Sequence, residues 1–129
     1  MLFRSSRRWL GRSFWSPASG KQGDVVTMIS SKCSNEIVSW KKDSQGRIVS
    51  VLTRCNDVDI NLVNIYAPTN PTERKSFFVS VHEVFIPSSV IIIGGDFNCY
   101  GDALDKFGGN ISIHKDYDSL KRDFALTDV

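Results

Sequence analysis

The sequence lacks any long apolar run. The longest, Val90-Ile-Ile-Ile93, falls far short of the ~20 residues that a bilayer-spanning helix needs. A transmembrane helix is thereby excluded, no membrane partner is expected, and the chain reads as a soluble protein. Cysteine is scarce too. Cys33, Cys55 and Cys99 are odd in number and no pair has C-x-x-C spacing, which excludes a disulfide framework and a zinc knuckle. Reduced thiols in an intracellular protein are the expectation. There are two histidines, His82 and His114, and neither has a cysteine or carboxylate at ligand spacing, so no metal-ligand set is assigned.

Acidic residues are missing from the start of the chain, where Arg4, Arg7, Arg8 and Arg12 precede the first acid, Asp24. Residues 1–10 are expected to form a poorly ordered basic start. An Arg-rich, acid-free beginning has something of a mitochondrial transit peptide, but Gly11, Pro17 and Gly20 oppose a long amphipathic helix, and such targeting is not expected. Over residues 1–50 there are nine Lys/Arg against three Asp/Glu, and over 51–129 seven against eleven. A basic region beside an acidic one suits a protein that grips a phosphate backbone and works on it with carboxylates. Otherwise, 41% hydrophobic and 23% charged residues are ordinary for one globular domain.

From Val25 onward the pattern is that of strands. Short apolar stretches at 25–29, 36–40, 48–53 and 58–65 are separated by turn-forming groups such as Asp43-Ser-Gln-Gly46 and Asn56-Asp57. Asn70-Pro-Thr-Glu73 then has the form of a helix start, with Asn70 as cap, Pro71 at the first position and Glu73 able to bond back. Phe77, Val81, Val84 and Phe85 share one helical face, and Pro87 ends the helix. Residues 90–94 read as a buried strand closed by Gly94-Gly95. A last helix is expected over about 116–124, on Tyr117, Leu120 and Phe124.

Strand 58–65, helix 71–85 and strand 90–94 make a βαβ unit, whose strands run parallel and end at the same edge of a sheet. Ligands of open α/β sheets bind at that carboxyl edge. The segments delivered there are Asn64-Ile-Tyr-Ala-Pro68 and Gly94-Gly-Asp-Phe-Asn98. In extended chain Asp96 and Asn98 point the same way while Phe97 points to the core. A carboxylate can orient and deprotonate an attacking water, and an amide can hold a phosphate oxygen as negative charge builds. Alone, Asp-x-Asn is equally an Asx turn, and Tyr66 alone is equally a packing residue. Their joint placement at one edge is the stronger signal.

These two segments, some thirty residues apart, resemble the endonuclease/exonuclease/phosphatase superfamily, and within it the endonuclease domains of LINE-type retrotransposons. Gly46-Arg-Ile48, Leu104-Asp-Lys106 with Gly108-Gly-Asn110, and Leu126-Thr-Asp-Val129 fit that group, so the likeness spans residues 11–129. It implies an α/β fold: a partial two-sheet α/β sandwich, with a mixed sheet and outer helices. It also implies roles. Asp96 corresponds to the residue that activates the attacking water, Asn98 to the one that binds the scissile phosphate and keeps the site ordered, and Tyr66 to the one whose hydroxyl stabilises the phosphate in the transition state. Thr69 stands where many LINE enzymes have Asn and keeps a polar substrate contact in altered form. The cofactor implied is Mg²⁺, the partner DNA through its phosphate backbone, and the location nuclear.

Departures from the family pattern matter as much. The pattern begins with a strand bearing Asn and another ending in a metal-binding Glu, and it closes with a further Asp and a Ser-Asp-His segment. None of these is found here, and His114 is no substitute. The expectation is therefore an incomplete domain over residues 11–129, truncated at both ends, with poor Mg²⁺ affinity and no nicking activity of its own. A sheet stripped of cover is also expected to self-associate. Two other readings stay open. One is a non-catalytic nucleic-acid or protein binding module derived from the fold, and the other a phosphatase-branch member acting on phospholipid or inositol phosphate.

Overall fold

The computed structural model describes residues 10–18, 20, 23–98 and 120–127. The basic start over 1–9, Cys99, the 104–106 and 108–110 motifs, His114, residues 128–129 and most of the expected last helix lie outside them. Among the described residues, and apart from a helical piece at 120–123, the elements follow in the order β1 (Gly11–Ser16), β2 (Val25–Ser30), β3 (Glu36–Lys42), β4 (Ile48–Cys55), β5 (Val58–Tyr66), α1 (Pro71–His82) and β6 (Val90–Asp96).

Strands β3 to β6 form one sheet in sequence order, antiparallel except for the parallel pair β5–β6, while β1 and β2 form a separate antiparallel ribbon. The expected mixed sheet is therefore present, with the βαβ unit at one side of it. Local chemistry explains the hairpins. Between β4 and β5 the two-residue loop Asn56-Asp57 has φ of 51° and 63°, the left-handed pair that a tight hairpin of this length favours. Between β3 and β4 the Asp43 carboxylate organises the turn. Its Oδ1 accepts from the backbone N–H groups of Arg47 (2.8 Å) and Ile48 (2.9 Å) and from the Ser16 hydroxyl (2.8 Å). Asp43 thus ties the end of β1 to the main sheet.

Each face of the sheet has its own core. On one side Ile48, Val63 and Ile65 pack with Phe77, Phe78, Val81, Phe85 and Leu120. On the other, Phe14 and Val25 of the ribbon meet Val49 and Val51. Phe78 is fully buried, and such a side chain contributes on the order of 1.5–3 kcal/mol by leaving water. A buried polar network fastens the segment after α1. The Asn61 amide donates to Ser50 Oγ (2.7 Å), that hydroxyl donates to the Val84 carbonyl (3.2 Å), and Asn61 Oδ1 accepts from Ile86 N–H (3.2 Å).

Several expectations need correction. Strand β1 was not anticipated. Helix α1 stops at His82 and not at residue 85: Glu83 N–H bonds to the Ser80 and Val81 carbonyls, and Phe85 reaches the core from the following turn. Asn70 does cap α1, accepting from Thr72 and Glu73 N–H, but the exposed Glu73 carboxylate makes no return bond among the described residues. Of the last helix only residues 120–123 are described as helical, with Leu120 buried and Phe124 edge-on to Phe85. No described helix is long and apolar enough to cross a membrane.

The cover on the sheet is unequal. The ribbon packs over β3, β4 and β5. At the edge strand β6, Val90 and Ile92 stay 52% and 54% exposed, although their register partners are Ile60 and Leu62.

Candidate active site

Parallel pairing brings the two segments together as the βαβ geometry requires. Tyr66, the last residue of β5, is the register partner of Asp96, the last residue of β6, so in adjacent pleated strands both point to the same face. Ala67 N–H then donates to the Asp96 carbonyl at 2.8 Å, which extends the pairing one step beyond the strand. Tyr66 is half-buried against the ribbon-side core, while Asp96 is exposed.

Glycine at 95 makes this approach possible. Gly95 has φ of 129°, and a Cβ there would lie 1.9 Å from the Ile65 carbonyl oxygen, whereas one at Gly94 would meet nothing within 4 Å. Only the second glycine of the pair is demanded by the close strand contact.

Asp96 and Asn98 are not in extended chain, contrary to the sequence expectation. Asn98 has φ of 50°, a left-handed conformation that Asn tolerates better than most residues. Its backbone N–H donates to Asp96 Oδ1 at 2.9 Å, which closes an Asx turn. The Asn98 amide Nδ2 donates to the Ala67 carbonyl at 2.6 Å. Asn98 thereby locks the segment after β6 to the segment after β5. It retains Oδ1 and a second amide hydrogen, and Asp96 retains Oδ2. Phe97 turns to the helix-side core and stacks on Phe78 with ring centroids 6.3 Å apart, as its position predicts. Thr69 is exposed in the same loop.

Two residues that sequence reasoning missed are attached here. Arg47 Nη1 donates to the Tyr66 carbonyl (3.0 Å), its guanidinium lies 5.3 Å from the centre of the Tyr66 ring, and its carbonyl accepts from Tyr66 N–H (2.8 Å). Arg74 is buried and donates through Nη1 to the Thr69 (3.0 Å) and Pro68 (3.4 Å) carbonyls. A signal for Arg74 existed, because it stands three and four residues before Phe77 and Phe78 and hence on the buried face of α1. A groove of about 600 Å³ opens beside the site, lined in part by Asp43, Arg47, Pro68, Thr72 and Phe77.

The geometry provides an exposed carboxylate, an anchored amide and a phenol at one sheet edge. Among the described residues no group of three or more His, Cys, Asp or Glu side chains lies together that could hold a metal ion by itself.

No family model matches the chain. It is 34% identical over 129 residues to the Transposon TX1 uncharacterized 149 kDa protein of Xenopus laevis, an alignment covering 94% of this chain and 10% of that one. The chain thus spans about a tenth of that relative's length. Among solved structures it is similar to truncated Caenorhabditis elegans TDP2, with TM-score 0.50 and 14% identity over 78% of this chain and 47% of that one. A second C. elegans TDP2 structure matches with the same score and identity over 87% and 39%. The structural likeness speaks for the fold, and the partial sandwich with its mixed sheet agrees with it.

Proposed function

We propose, for a chain that fits the endonuclease/exonuclease/phosphatase type of domain, that residues 66, 96 and 98 are the phosphodiester-handling part of a DNA-nicking endonuclease of a LINE-type retroelement. The transposon relative and the TDP2-like fold support a nuclease or phosphodiesterase family; substrate, metal dependence and activity are the proposal. The observation that carries it is the junction at the sheet edge: Tyr66 beside Asp96 in register, with Asn98 bonded across to Ala67.

In this reading the Asp96 carboxylate holds an attacking water and accepts its proton through Oδ2, while Oδ1 is fixed by Asn98 N–H. The second Asn98 amide hydrogen and the Tyr66 hydroxyl donate to a phosphate oxygen as charge develops on it. Thr69, exposed next in the loop, contacts the substrate backbone. The described residues offer Mg²⁺ no cluster of side-chain ligands, so no step is assigned to the metal, and in this reading the polypeptide on its own is inactive. Incubation with supercoiled plasmid and Mg²⁺ should leave the plasmid intact. Nicking that disappears in Asp96→Ala would show a complete enzyme instead.

The second reading, a binding module, draws on β1 of the ribbon and on β3 at the opposite edge of the main sheet. Trp15 and Trp40 are 48% and 43% exposed, and Lys41 and Lys42 are exposed beside Trp40, a combination that suits a nucleic-acid backbone and its bases. DNA affinity that falls steeply with salt and with loss of these lysines, but not of Asn98, would favour it. The half-exposed Val90 and Ile92 on β6 further support self-association through that part of the sheet.

A further inference from the structure

Four consecutive carbonyls, those of residues 66 to 69, each accept a side-chain donor. Arg47 takes Tyr66, Asn98 takes Ala67, and Arg74 takes both Pro68 and Thr69. A loop leaving a strand would ordinarily give these groups to water. Here four successive peptide planes are fixed from three different elements: the β3–β4 turn, the end of β6 and the first turn of α1.

Stability alone explains this arrangement poorly. Arg74 is 6% exposed, and its Nε is buried without a partner. Neither Arg47 nor Arg74 forms an ion pair among the described residues, where Arg54–Asp59 and His82–Asp123 do. A buried guanidinium with no counter-charge is unfavourable compared with an apolar side chain, and Phe77 and Phe78 adjoin it in the helix. What Arg74 supplies and an apolar residue cannot is a long-reaching donor, Nη1, shared by two carbonyls.

We propose that Arg47 and Arg74 are positioning residues of the site. They hold the 66–69 peptide planes so that the Tyr66 hydroxyl and Thr69 face the substrate, and their two charges, outside any ion pair among the described residues, favour approach of a polyanionic phosphodiester strand. The function assigned to these arginines rests on the proposed phosphodiester reading; the mechanical coupling of Arg74 to Tyr66 does not.

The test uses the full chain labelled with 3-fluorotyrosine, which gives one ¹⁹F line for each of its three tyrosines, with Tyr66→Phe identifying the Tyr66 line. Arg74 makes no hydrogen bond to Tyr66, so an effect must travel through the carbonyl row. In Arg74→Met the Tyr66 line is expected to shift or broaden by more than its width. A lowered melting temperature with an unmoved Tyr66 line would make Arg74 a mere helix anchor and overturn the proposal. Should Arg74→Met not fold, Arg74→Lys decides the matter. Its ammonium ends one bond short of the position of Nη1, which makes both bonds, so the Tyr66 line should still be displaced, and a wild-type line there refutes the coupling. Adding a DNA duplex to the unmutated chain tests the underlying reading separately. A Tyr66 line that responds supports it, and one that ignores DNA contradicts it whatever the arginine variants do.

Discussion

The side-chain amide of Asn98 donates to the carbonyl of Ala67 at 2.6 Å across a separation of 31 residues. This bond joins the two sequence motifs directly, and through it the residue expected to bind phosphate also builds the site. Asn98→Ala removes it and leaves a non-glycine, non-Asn residue at φ of 50°. A loss of about 1–2 kcal/mol is expected from the missing hydrogen bond and the backbone conformation together, measured by urea denaturation. Asn98→Gly, which relieves the backbone but not the bond, should fall between. Equal stability of all three would mean that the bond contributes nothing.

The two glycines of the 94–98 motif should behave oppositely. Gly95→Ala places a Cβ on the Ile65 carbonyl, whereas Gly94→Ala has open space. The first is expected to disrupt β5–β6 pairing and cost about 3 kcal/mol or more, in the range of the severest point mutations. The second should change stability by less than about 1 kcal/mol. Thermal melts of both variants settle the comparison, and similar midpoints would contradict the close strand contact.

Away from the site, Asn61 links Ser50 to the Ile86 N–H inside the protein. Asn61→Ala strands a buried donor and should destabilise by about 1–3 kcal/mol. Amide hydrogen exchange at Ile86 should accelerate in the variant, because its acceptor is gone. Unchanged protection there would show that the network does not hold the segment after α1.

Exposure of Val90 and Ile92 predicts association. Ile92→Lys should lower the apparent mass of the chain in sedimentation velocity while leaving its circular dichroism intact, since more than half of the side chain already faces water. A wild-type chain that sediments as a monomer at high concentration would rule this out.

Much of this arrangement could be read before the structure. The strands at β2 to β6 follow from β-branched runs between turn formers, and the capped start of α1 follows from Asn70-Pro71. The shared edge of Tyr66 and Asp96 follows from the parallel crossover. What escaped depended on partners far away in sequence. Strand β1, Gly-Arg-Ser-Phe-Trp-Ser, has no convincing alternation; it is a strand because β2 pairs with it and Phe14 finds Val49 and Val51. The end of α1 was misplaced because Val84 and Phe85 continue the apolar spacing after the helical hydrogen bonds have stopped. At the site, the carboxylate and the amide were legible, whereas their left-handed Asx turn and the arginine donors were not. An Arg in a sequence carries no sign of whether it faces water or a row of carbonyls.

The central claim is that residues 66, 96 and 98 form a surface that receives a phosphodiester. Backbone and side-chain ¹⁵N–¹H resonances report on it directly, with the Asn98 side-chain amide assigned through Asn98→Ala and a short DNA duplex titrated into the chain without metal. The account predicts that the Asn98 side-chain amide and the Ala67 region shift early in the titration. Shifts confined to Trp40, Lys41 and Lys42, with Asn98 unmoved, would contradict it and leave a DNA-binding module with no phosphodiester site at this edge.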